Sequence, residues 1–73
     1  MYCLIDRSGG TINICSKSYE RLFEFAKSNM VTHGVKLYES TSYWDSEGNI
    51  TKTIIKPRTW RDPYFEIIKV EKI

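Results

Sequence analysis

Histidine occurs once in these 73 residues, cysteine and proline twice each, and no apolar stretch approaches the length of a membrane span. Each scarcity excludes a class of chemistry. With His33 as the only imidazole, a Ser-His or Cys-His nucleophile has one possible base, and no elbow or family motif flanks any Ser or Cys. C-x-x-C and H-x-x-H spacings are absent, so Cys3, Cys15 and His33 are three scattered ligands rather than a metal signature. Ser8-Gly9-Gly10 lacks the lysine and the strand–loop–helix setting of a phosphate loop. Asp45 and Glu47 fall in a polar turn, where solvent is expected to leave the acidity of Asp45 ordinary and paired-carboxylate catalysis has no foothold. The runs Cys3-Leu4-Ile5, Met30-Val31 and Ile54-Ile55 are far short of the roughly 20 residues of a spanning helix. Asp6 interrupts the first apolar stretch too early for a secretory h-region of about 7–15 residues. These observations predict a non-enzymatic cytoplasmic protein with no cofactor, no metal and no membrane partner.

What is present is an aromatic-rich chain with room for a single domain, residues 1–73. A chain this short buries only about 60% of its unfolded surface, so its core is marginal. Aromatics make up 14% of it, and each large ring buries on the order of 150–250 Å2. The formal charge is only +2, but it is unevenly spread: residues 35–49 sum to −2 and residues 50–63 to +3. The basic excess comes from Lys52, Lys56, Arg58 and Arg61.

Hydrophobic periodicity predicts an α+β fold in the order ββαβββ. Tyr2–Asp6 and Thr11–Cys15 read as strands about the Ser8-Gly9-Gly10 turn, with Leu4, Ile12 and Ile14 as their apolar members. In that hairpin Cys3 and Cys15 stand nearly opposite each other, yet a one-residue slip would put them on different faces. A cytoplasmic setting favours two reduced, buried thiols over a disulfide. Tyr19, Leu22, Phe23, Ala26 and Met30 form one helical stripe, capped by Ser16 or Ser18, with Phe25 off the stripe. The helix is expected to end near Asn29 or Met30, with Gly34 resetting the chain. Val35–Trp44 alternates as a strand, with Val35, Leu37, Thr41 and Tyr43 on one side. Residues 45–49 are a hairpin loop, Ile50–Lys56 returns as a strand, and Tyr64–Ile73 is the last strand. The expected architecture is a meandering, mostly antiparallel sheet of four or five strands with the helix across one face.

The candidate working surface joins Tyr43 and Trp44 at a strand end to Lys52, Lys56, Arg58, Trp60 and Arg61. Tryptophan beside arginine suits a protein hot spot, and the same mixture suits single-stranded nucleic acid, whose bases stack on rings. Packing of Trp44 and Trp60 against each other, or over a sheet edge, is the structural alternative. A net +2 is low for a dedicated nucleic-acid domain, so a protein partner ranks first. Pairing of exposed strand edges into a homodimer is a third reading.

The segment from Ile12-Asn13-Ile14-Cys15-Ser16 through Leu22, Phe23 and Ala26 to Gly34-Val35-Lys36-Leu37 resembles the strand–helix–strand frame of small phage-encoded inhibitor proteins. These include phage RNA-polymerase inhibitors and several anti-CRISPR proteins. The resemblance covers about a third of the chain. It implies a protein that docks on, and blocks or redirects, a larger host machine, either a defence nuclease complex such as CRISPR-Cas or RNA polymerase. The strand after Gly34 carries Glu39 and Thr41 where such polymerase inhibitors carry arginines, so no functional residue transfers.

Overall fold

A computed structural model describes residues 1–9 and 13–70. Five strands and one helix follow the expected order: β1 Tyr2–Asp6, β2 Asn13–Ser16, α1 Tyr19–Thr32, β3 Tyr38–Trp44, β4 Ile50–Pro57 and β5 Phe65–Lys69. Ile12, expected in the second strand, and the expected end of the last strand at residues 71–73 lie outside the described residues.

The helix forms where its stripe and caps agree. Ser18 is the N-cap, its hydroxyl accepting from the Arg21 N–H at 3.3 Å, and Glu20 faces the positive end of the dipole. The C-terminus runs two residues past Met30 because closure is set by Gly34. Gly34 takes a φ of 85°, its N–H donates to Val31, and the Val35 N–H donates to Met30. This paired closure places Val35 back over Met30, the hydrophobic contact that accompanies such caps. Leu22, Ala26 and Met30 are buried on the face that the stripe predicted, and Tyr19 and Phe23 pack at its margin.

The sheet is antiparallel throughout, but it is not the simple meander expected. Its order is β2-β1-β5-β4-β3, with the last strand inserted between β1 and β4. Position follows hydrophobicity: β5 supplies the buried Phe65 and Ile67, and a central strand has neighbours to cover both. The helix then carries the chain from one edge strand, β2, to the other, β3. Leu4, Thr53, Ile55, Phe65 and Ile67 form the floor beneath it. Cys3, Ile5, Ile54, Ile68, Lys52 and Lys56 alternate onto the face away from the helix.

Two further expectations are corrected. The third strand begins at Tyr38 rather than Val35, because Val35 is held by the helix closure and the ladder to β4 opens only where Arg58 donates to the Leu37 carbonyl. The side of β3 turned to the helix carries Tyr38 and Ser42, since Ser42 is paired with buried Thr53. The cysteines are not buried thiols. Register places Cys3 directly opposite Cys15 on the open face, with Cα atoms 4.0 Å apart, and the two form a disulfide.

Three hydroxyls tie the layers together. Thr53, wholly buried in β4, lies 2.7 Å from the Tyr19 hydroxyl on the helix and 3.0 Å from the Ser42 hydroxyl on β3. One buried oxygen thus joins the helix N-terminus to an edge strand.

Candidate functional site

The candidate residues divide between the two ends of the β3–β4 hairpin. At the turn end, Lys52 and Tyr43 are cross-strand partners on the open face, with the Lys52 ammonium 5.8 Å from the ring centroid. Trp44 follows a bulge, which shifts the register after Tyr43, and is 62% exposed. Among the described residues Trp44 stacks on no other ring.

Asp45 organises that turn. Its carboxylate accepts from the Glu47 and Asn49 N–H groups, each at 2.9 Å. The donation from Asn49 first, with that from Glu47, holds Asp45 below its usual range, so its acidity is not the ordinary one expected of a solvated turn. Such a carboxylate is a structural anchor whose ionised form is favoured by these two donors.

At the other end of β4, Pro57 leads into a loop where the remaining candidates meet partners absent from the sequence reading. Lys56 is spoken for: its ammonium lies 2.6 Å from Glu39 and 2.6 Å from the Trp60 carbonyl. The same pairing, through its hydrogen bond and then its charge, lowers the pKa of Glu39. Lys56 therefore stiffens the loop more than it offers a free charge. Trp60 N–H closes a turn on Pro57 at 3.0 Å, and its ring tilts against Tyr64 at 5.4 Å, which in turn packs on Phe65 of the core. Trp44 and Trp60 do not pack together. Trp60 is backed by the core on one side and 46% exposed on the other.

A groove of about 340 Å3 runs between this loop and the segment that follows the helix, lined by Val35, Lys36, Leu37, Pro57, Arg58 and Trp60. Its apolar members include Leu37, 64% exposed and the most open large hydrophobic residue of the described chain. Lys36 and Arg58 stand at its borders, and among the described residues neither they nor nearby Arg61 belongs to an ion pair. The main-chain bond from Arg58 to Leu37 locks the two walls together, so the groove is formed before anything enters it.

Arg58 and Trp60 thus share a groove, Arg61 flanks it, and Lys56 braces it. Tyr43, Trp44 and Lys52 lie at the far end of the hairpin, roughly 20 Å away at about 3.3 Å per residue from Lys52 to Arg58. Lys36 and Leu37 escaped the sequence reading because an alternating strand absorbs a leucine as core. The signal that could have found them is Gly34, a helix terminator that delays the strand and leaves the next residues in a loop.

Among the described residues no three His, Cys, Asp or Glu side chains converge to hold a metal ion. No helix among them is long and apolar enough to cross a membrane. Comparisons with protein-family models, curated proteins and solved structures give no significant match to the chain.

Proposed function

We propose that the chain is a non-enzymatic binding module that docks on a larger protein assembly through the Trp60 groove and inhibits or redirects it. The observation that carries this reading is a preformed groove lined by exposed Leu37 and a core-backed Trp60 together with Lys36 and Arg58, cations that form no ion pair among the described residues. Tryptophan in a rigid setting beside arginine is the usual composition of an interface hot spot. The geometry fits a partner that inserts one apolar side chain flanked by carboxylates. The class of assembly, a host defence nuclease complex or RNA polymerase, follows from the resemblance to phage-encoded inhibitors, and with it a location in the host cytoplasm. In a reducing cytoplasm Cys3 and Cys15 would stand as thiols, so the proposal requires a groove that works without the disulfide. The two lie on separate parts of the fold.

Single-stranded nucleic acid is the second reading, favoured by the half-exposed Trp60 ring next to Arg58 and Arg61. One experiment separates the two. Immobilised wild type and the triple variant Arg58→Ala, Trp60→Ala, Arg61→Ala are exposed to nuclease-treated and untreated host lysate. A protein retained by wild type, lost by the variant and indifferent to nuclease supports the proposal. Nuclease-sensitive capture supports the second reading, and its affinity for a single-stranded oligonucleotide should fall with salt by a log–log slope near −0.7 per phosphate contacted. Equal capture by wild type and a folded triple variant would place the working surface elsewhere.

A further inference from the structure

A second groove, about 510 Å3, lies at the opposite edge of the sheet between α1 and β2. β2 is a free edge, and the hydrogen-bond phase of the sheet determines which of its main-chain groups are unused. Val70 N–H donates to Met1 and Arg7 N–H donates to Tyr64, which turns the main-chain groups of Cys3 and Ile5 toward β5. Those of Tyr2 and Leu4 therefore face β2, where they meet Ser16 and Ile14. Cys3 and Cys15 fall at the close, non-hydrogen-bonded position, in keeping with their 4.0 Å Cα separation. The N–H and C=O groups of Asn13 and Cys15 are left pointing out of the sheet. On the helix side of this edge Ile14 and Phe25, 38% and 41% exposed, line the groove beside Leu22.

We infer that a second copy of this chain occupies the edge, its β2 pairing antiparallel with this β2 about a two-fold axis at Ile14. With the axis there, Asn13 stands opposite the partner's Cys15, and each such pair exchanges two N–H···O=C bonds through groups that bond to no other main-chain group among the described residues. Three features commit the occupant to a like copy. The free donors and acceptors are their own complement under the two-fold, as an isologous contact demands. Ile14 and Phe25 meet the partner's Ile14 and the partner's Phe25, covering apolar surface that the single chain leaves open. Arg21 and Glu24 line the same groove with opposite signs, and Glu24 also pairs with Lys27, so these three groups leave one excess positive charge, too weak a field to repel a copy. The other edge, β3, is ill suited to such pairing, because it carries a bulge after Tyr43 and the charged Glu39. This surface is distinct from the Trp60 groove, and the two readings stand or fall separately.

Sedimentation equilibrium from about 10 μM to about 1 mM, a span that reaches weak self-association, tests the inference. Wild type should approach twice the 8.6 kDa chain mass as concentration rises. Phe25→Glu alters an exposed helix position and should raise the dissociation constant at least tenfold. Asn13→Pro removes an outward N–H that β1 does not use and should do the same with an unchanged circular dichroism spectrum. Both variants should keep any binding that depends on Trp60. A wild-type mass of one chain across the whole range would overturn the proposal, leaving the edge to an extended foreign strand. So would a dimer that survives Phe25→Glu undiminished.

Discussion

Replacing Thr53 by Val tests whether the hydroxyl triad joins the helix to the sheet. Val keeps the shape and the β-branch, so no cavity forms and strand propensity is preserved. What is lost is one oxygen that lies 2.7 Å from Tyr19 and 3.0 Å from Ser42, at a residue with 0% exposure. Each neutral hydrogen bond contributes about 0.5–1.5 kcal/mol net, and a partner left buried and unsatisfied costs about 1–3 kcal/mol. Tyr19 and Ser42 are only half-buried, so water can reach part of each hydroxyl. The cost should therefore lie near the lower end, about 1.5 kcal/mol. For a domain of this size that is a fall in Tm of about 6–12 °C, at about 4–8 °C per kcal/mol. The assay is thermal and urea unfolding of wild type, Thr53→Val, Tyr19→Phe and the double variant. Removing both partners of one bond should cost less than the sum of the single losses, by about 0.5–1 kcal/mol, since no donor is then stranded. Strict additivity, or a Thr53→Val protein as stable as wild type, would show that the triad does not couple the layers.

Leu22→Ala should cost about 2–5 kcal/mol, the range for a buried leucine, because Leu22 is the centre of the buried helix face; a Tm within a degree or two of wild type would mean that another face packs. Exchange of both Cys3 and Cys15 for Ser, or full reduction, should cost about 3 kcal/mol, the loop-closure value for a separation of 12 residues, and leave any Trp60-dependent binding intact; an unchanged Tm would show that the pair is not bridged in solution. Acid should destabilise the hairpin: Glu39 and Asp45 have folded pKa values below their ordinary 4.5 and 3.8, so their contribution is present above those values and lost as pH falls through the lower folded ones. The double variant Glu39→Gln, Asp45→Ala should then show a shallower loss of Tm below about pH 4.5 than wild type, and an equal slope would assign the acid sensitivity to other carboxylates.

Local signals were legible in the sequence and long-range ones were not. The stripe from Tyr19 to Met30 identified the helix and its buried side, because a 3.6-residue period has one reading along a short amphipathic segment. Its end was misjudged by two residues, since closure depends on bonds from Gly34 and Val35 back into the last turn. Strand identities were legible, but their order was not. Nothing local tells β5 to enter between β1 and β4, a choice made by competition for central positions among all five strands. The cysteines show the same limit at atomic scale, because one residue of register separates a disulfide from two thiols on opposite faces. At the candidate site, composition pointed to Arg58 and Trp60, while Leu37 and Lys36 were hidden inside an apparent strand. Tyr43 and Trp44 joined the candidate set through residue type alone, though a hairpin arm holds them apart from Trp60.

The placement of the two grooves gives the fold a further consequence. The Trp60 groove opens where the chain enters β3 and leaves β4, and the unsatisfied edge is β2, at the other side of the sheet. On the inferred dimer the two-fold joins the β2 edges, so both Trp60 grooves fall toward the outer margins and neither is covered. At about 4.7–4.9 Å between strands the two β4 strands of such a dimer lie roughly 34 Å apart across the sheet, and the five residues from Thr53, level with the axis, to Arg58 in each copy add roughly 33 Å along the strands, which sets the two grooves about 45–55 Å apart on one ten-stranded sheet. A partner that offers two copies of its contact at that spacing would be held with an effective concentration set by rigid geometry rather than by a tether. With both proposals in place, a small chain with a shallow groove would gain by this arrangement what its own surface is too limited to supply. Weak single contacts of this size release quickly, and a second groove held at fixed distance is the physical means of slowing that release without enlarging either site.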